Sequence, residues 1–298
     1  MTKNASNEIL RDFIYIDKDK MYSLYSQIFE GVAESLMESI SMSNEETKKE
    51  GSPKKNLEER IIEASVKTQN IVLFDHIYNM LEEKLSPYLL NINETTTRED
   101  IKTDSIIKIT GYALIEDYEH LSYLMGNLNS IGMALATLTM QSQVGENKTI
   151  SKNAVEQAAR EYGLVLDKKL CDSIVSVIEN FHGSLMEVTV EHSENPFNLG
   201  FKAPLDSQYL RLSPNMLRNL YGYKPCMKWT IVGEVTSIVD TSTEFEHKNK
   251  SMFAEMFKQL DQVDNAFTKM NESVSNIVRI APIAVYIEHE RFFKKEMK

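Results

Sequence analysis

Three times along this chain a run of β-branched and aromatic residues closes on an aspartate: Phe13 to Ile16 at Asp17, Ile106 to Ile115 at Asp117, and Met227 to Val239 at Asp240. Such runs suit the pleated, half-buried surface of a sheet. After the first, apolar pairs recur at Met21/Tyr22, Leu24/Tyr25, Ile28/Phe29, Val32/Ala33 and Leu36/Met37, the spacing of a helix with a wide buried face. A chain that switches repeatedly between these two periods is predicted to be α+β, mixing short strands with long amphipathic helices. Ile109-Thr110-Gly111-Tyr112-Ala113 also echoes Ile231-Val232-Gly233-Glu234-Val235, which suggests pseudo-duplicated strand–helix halves.

Residues 41–56 are polar, of mixed charge and without aromatics, so they are predicted to form a mobile loop. A second helix is expected over about 57–85, with Ile71, Phe74, Ile77/Tyr78, Leu81 and Leu85 on one face and Ser86-Pro87 closing it. A third follows Asp117, with Tyr118, Leu121, Met125 and Leu128 inward, while residues 132–144 fit either helix or strand. The polar turn at 145–149 is the expected boundary between an N-terminal domain, 1–145, and a C-terminal one, 146–298. Beyond it Ser151 is positioned to cap a helix that Gly163 stops, and a partner helix runs from Asp167 to Phe181. Strands are expected at 185–191, at 199–203 and at 280–288, the last confined by Pro282 to an edge or to its own beginning.

The most regular pattern covers 251–278. Phe253, Leu260, Phe267 and Val274 recur every seven residues, with Met256, Val263, Met270 and Ile277 between them, which is the seam of a coiled coil. Flanking positions such as Phe257, Gln259, Ala266 and Ser273 carry little complementary charge, which favours packing within the chain over pairing with a second copy.

The net charge of −11 argues against broad phosphate-backbone binding, which needs clustered Lys and Arg, so no nucleic-acid partner is expected. The two helices at 151–181 superficially fit a helix-turn-helix, but the second has no basic cluster. Cys171 and Cys226 share no short spacing, so neither a zinc knuckle nor a disulfide framework is indicated, and a reducing cytosol fits. No basic leader enters an apolar stretch and nowhere do some 18 apolar residues run together, so neither export nor a membrane span is expected. The six histidines are scattered without ligand spacing, so no metal is expected, and no cofactor fingerprint occurs. Gly145-Glu146-Asn147-Lys148-Thr149 fails as a phosphate loop because no glycine adjoins the lysine.

Two groups of residues are candidates for a site. Asp17, Asp117 and Asp240 stand at element ends, where capping of the next helix competes with a role as paired carboxylates. Tyr22, Ser23, Tyr25, Ser26 and Gln27 crowd polar groups around a helix with a wide apolar face, so some are expected to be buried and bonded, at a ligand pocket or an interface or within the fold.

Arg11-Asp12-Phe13-Ile14-Tyr15-Ile16-Asp17, with Ser23-Leu24-Tyr25-Ser26-Gln27 and Glu30-Gly31 after it, resembles the opening of a family of uncharacterised bacterial proteins classed as a domain of unknown function. The strand around Gly111 with Asp117, and Trp229 with Gly233, are similar to that family too. The resemblance implies a bacterial cytosolic origin and transfers no catalytic residue. The chain is therefore expected to act without catalysis, through a protein partner, a homo-oligomer or a sensed small ligand. The rival expectation is a hydrolase or nucleotide-processing enzyme whose carboxylates assemble from separate strand ends.

Overall fold

The computed structural model describes residues 10–29, 74–144, 150–163, 165–191, 199–240 and 276–289. The expected loop at 41–56 and the heptad positions Phe253, Met256, Leu260, Val263, Phe267, Met270 and Val274 lie outside them. The fold is α+β, as the alternating periods predict, with a small strand barrel.

Of the described residues, those up to 114 together with 188–240 and 276–289 form one compact unit, and 115–187 a second. The division expected at residue 145 is therefore displaced. Strands from both ends of the chain pair with each other, β1 with β7 and β3 with β6, so a cut at one position cannot separate two cores.

The first unit is built on β1 (Leu10–Ile16), β3 (Ile106–Asp117), β4 (Met186–Glu191), β5 (Leu199–Leu205), β6 (Lys228–Asp240) and β7 (Asn276–His289). β7 pairs antiparallel with β6 and parallel with β5, β6 pairs antiparallel with β3, and β5-β4-β3 completes a closed ring of five strands. The short β2 (Leu90–Asn91) adds a parallel edge to β3. Closure and the helices packed on it explain why β7 is buried almost continuously from Ile283 to Ile287, whereas β3 keeps a simple alternation of buried and less buried residues. One face of β3 carries Ile107 and Ile109, and their partners across the ladder are Gly233 and Ile231 of β6. On the other face Val232 of β6 joins Ala284 and Tyr286 of β7 beneath α1 (Lys18–Ile28) and α2 (residues 74–85), where Met21, Ile77 and Leu81 complete the cluster.

The echo around Gly111 and Gly233 has a different meaning from duplicated halves, because the two segments are adjacent antiparallel strands of one ring. Both glycines stand where backbone comes too close for a side chain. A Cβ on Gly111 would meet the carbonyl oxygen of Glu191 at 2.2 Å, and one on Gly233 that of Ala281 at 2.6 Å.

Two expectations for the last strand are corrected. Ile277 is not the final position of a helical seam but a buried residue of β7, paired with Gly200 and Val239, because the β-branched run Ile277-Val278 opens a strand there. Pro282 lies inside this central strand. It is tolerated because β5 occupies the same edge only up to Arg279 and β1 only from Ala284, and the ladder to β6 shifts register at Gly233 opposite it.

The second unit contains α3 (Tyr118–Val144), α4 (Lys152–Glu161) and α5 (Lys168–Phe181). Residues 132–144, which the sequence leaves open, are helical: Ala136 is buried, and Met133 and Met140 pack with it against Val155 and Ala159 of α4. Ser151 caps α4 and Gly163 adopts a φ of +67° just past its end, both as expected from residue type, and Asp167, expected as the first residue of α5, is its N-cap. Asn129 bonds both the N–H and the carbonyl of Leu166, at 2.9 and 3.0 Å, tying α3 to the segment before α5.

Candidate functional site

Asp17 is extended at the N-cap of α1 and accepts the Lys20 N–H at 3.0 Å, while the Lys20 ammonium stands 3.3 Å away. Its own N–H donates to the Ile283 carbonyl of β7. Asp117 ends β3 and accepts the His120 N–H at 2.9 Å in the same geometry. These carboxylates fasten the strand-to-helix step, since the first turn of a helix leaves donors unsatisfied and favours negative charge. Asp17 belongs to the barrel unit and Asp117 to the helical one, and Asp240 ends β6 opposite Asn276.

The polar residues of α1 divide by depth. Tyr25 is buried and stacks on Phe29 with centroids 4.2 Å apart. Tyr22 meets Phe74 edge-on at 5.8 Å. Its buried hydroxyl has no hydrogen-bonding partner among the described residues, and burial, followed by the nearby Asp19, pushes that phenol's pKa up. Ser26 and Gln27 are exposed and donate to the Ser23 carbonyl, at 2.9 and 3.0 Å. Bonds expected to reach across the fold are thus made within the helix, where a hydroxyl or amide finds the carbonyl one turn back.

The densest constellation involves residues outside those candidates. Arg11 of β1 stands directly opposite Glu288 of β7, Lys108 lies on β3, and Glu82 projects from α2. Glu82 is buried, and its carboxylate receives the Arg11 guanidinium at 3.1 Å, the Lys108 ammonium at 2.9 Å and the Tyr286 hydroxyl at 3.0 Å to each oxygen. Glu288 lies 3.1 Å from the Lys108 ammonium and 3.5 Å from Arg11, and Asn79 accepts from Arg11 at 2.7 Å. The guanidinium also lies over the Tyr286 ring, 4.9 Å from its centroid. Tyr78 and Phe13 close the floor, edge-on to Tyr286 at 5.9 and 5.5 Å.

Two cations and two carboxylates balance here, which is the condition under which buried charge is tolerated. Burial first, and then Glu82, pushes the Tyr286 pKa well up. The phenol therefore stays protonated and serves as a donor. The cluster joins β1, β3 and β7 to α2 and acts as a clamp. Sequence reasoning passed over it because its bonds join residues 26 to 277 positions apart. Two signals were nonetheless present: Glu82 follows Leu81 on the apolar side of its helix, and Lys108 interrupts a run of isoleucines.

A second group lies under β1. Arg211 pairs with Asp75, whose pKa burial raises against the pull of that arginine. Tyr209 donates to Asp19, and Tyr221 donates to Asp12 at 3.4 Å while meeting the buried Trp229 edge-on. Among the described residues no group of three or more His, Cys, Asp or Glu could hold a metal ion, and no helix is long and apolar enough to cross a membrane.

Residues 10–286 match the family described as Domain of unknown function (DUF6414), which is nearly the whole chain. Comparison with the curated proteins and with the solved structures finds no match.

Proposed function

The chain belongs to the DUF6414 family, and from that premise we propose that it is a bacterial cytosolic protein working without catalysis, as an interaction or small-ligand-sensing module in defence or signalling. The observation that supports this reading is how the acid groups are used. Asp17 and Asp117 each accept from the helix they begin, and Glu82 accepts from three donors at once. Carboxylates so placed already serve as acceptors within the fold, the use expected of caps and of a clamp rather than of a reagent.

The heptad residues Phe253 to Val274 supply the interaction element of this proposal, with Phe267 near its middle. Light scattering on the wild type and on Phe267→Asp tests it. A folded variant with a halved mass supports a homo-oligomer, and a folded variant with unchanged mass removes that version.

A thermal-shift screen against nucleotides and metabolites, run beside a pull-down from bacterial lysate, tests the function as a whole. A protein captured in stoichiometric amount supports an interaction module, and a single stabilising compound supports a sensor. Turnover of such a compound would overturn the non-catalytic reading.

A further inference from the structure

Between Asp206 and Glu234 the sequence holds Arg211, Arg218, Lys224 and Lys228 and no acidic residue, in a chain whose net charge is −11. Arg211 is taken up by Asp75. The other cations are Arg218 on α6 (Pro214–Tyr221), half-buried and donating to Asn215 at 2.9 Å, Lys224 just after that helix, and Lys228 at the start of β6; the orientation of α6 is fixed by its ends and its inner face. Ser213 caps it, Leu217 is buried, and Tyr221 points inward to Trp229 and Asp12.

With those positions turned in, Met216 and Leu220, one turn apart, stand outward, and Leu220 is 60% exposed. Gly222, with a φ of +69°, then turns the chain, and Tyr223 and Met227 are exposed beside Lys224 and Lys228. Lys228 pairs in register with Tyr112 of β3, and its ammonium lies 5.9 Å from the centroid of that exposed ring. Single exposed apolar residues are ordinary on any surface. Four within the twelve positions from Met216 to Met227, joined by cations and by no carboxylate of their own segment, are a pattern that needs an occupant.

We infer that this segment is a docking surface for an anionic phospholipid membrane. The three cations complement anionic headgroups, the Met and Leu tips suit the boundary with the acyl chains, and the two tyrosines suit the headgroup level between them. A nucleic acid would be met by stacking rings rather than by Met216, Leu220 and Met227. The chain as a whole carries a net charge of −11, so an anionic surface favours contact through this basic segment. The inference goes beyond the proposed function and does not depend on it.

The chain carries its own probe for the test. Cys226 is exposed within the segment and Cys171 is buried, so a polarity-sensitive fluorophore can be placed on Cys226 of the full chain. Vesicles containing phosphatidylglycerol should shift the emission to the blue and co-sediment the protein, with binding about tenfold or more above that to phosphatidylcholine vesicles and weakened by salt. Unlabelled Leu220→Asp/Met227→Asp and Lys224→Glu/Lys228→Glu proteins should each lose about tenfold in co-sedimentation while keeping the wild-type circular dichroism and melting temperature. Equal binding to both kinds of vesicle, or binding that neither variant changes, would overturn the inference. So would binding of single-stranded RNA or an acidic protein through this segment with no vesicle binding.

Discussion

The hydroxyl of Tyr286 lies 3.0 Å from both carboxylate oxygens of Glu82, across 204 positions of sequence. One buried acid thereby joins the last strand to a helix from the first third of the chain. Removing it leaves Arg11 and Lys108, both half-buried, sharing the one carboxylate of Glu288. Glu82→Ala should cost about 3–5 kcal/mol of unfolding free energy. Tyr286→Phe, which removes one bond to a charged group, should cost about 1.5–3 kcal/mol. Urea denaturation of both variants checks the order, and a Glu82→Ala protein as stable as the wild type would contradict the clamp.

Gly111 and Gly233 are required by neighbouring backbone rather than by an unusual φ. An alanine at Gly111 would face the Glu191 carbonyl and one at Gly233 the Ala281 carbonyl, both inside van der Waals contact. Each Gly→Ala change should destabilise the barrel by about 1–3 kcal/mol or more. Calorimetry should show Gly111→Ala melting lower than the same change at Gly126, where the nearest side-chain atom is 3.9 Å away.

The strand-to-helix aspartates should behave as caps. Asp17→Ala and Asp117→Ala each remove one short bond to a backbone N–H, at a cost of about 1 kcal/mol, and Asn at either position should recover most of the loss. A carboxylate used as a reagent would not be replaced by its amide without loss of activity. Thermal melts of the four variants separate these two roles.

Asp100 is exposed, and the Thr97 N–H and hydroxyl both donate to its carboxylate at 2.8 Å, which holds its pKa below the usual range. A folded-state pKa below the unfolded one means that this group's contribution is present above about pH 4 and is lost as pH falls through the folded value. Asp100→Asn should therefore lower stability at neutral pH and converge on the wild type in acid. Unfolding curves recorded across that range test the sign.

Local signals carried most of the secondary structure. The β-branched runs at 106–115 and 227–239, and the cap Ser151, appear where residue type placed them. Residues 132–144 stayed ambiguous because Gly132, Ala134 and Ala136 have too little apolar contrast to show a period, and only packing against Val155 and Ala159 reveals the helix. Ile277 misled for the converse reason: it continues a seven-residue repeat and also opens a β-branched run, and the second property governs its structure. Asp17 and Asp117 were legible as caps because a cap is local. The Glu82 cluster was not, since Arg11, Lys108 and Tyr286 meet it only after the ring of strands has closed.

That closure also sets an order of events during biosynthesis. β1 leaves the ribosome early, yet its partner β7 is made only after some 260 further residues, and β3 must likewise wait for β6. Residues 115–187 are translated in between, and their helices can assemble from neighbours in sequence. The unit that interrupts the barrel is thus free to fold first, and the sticky edges of β1 and β3 are exposed throughout that interval, the period in which a nascent chain most needs a chaperone.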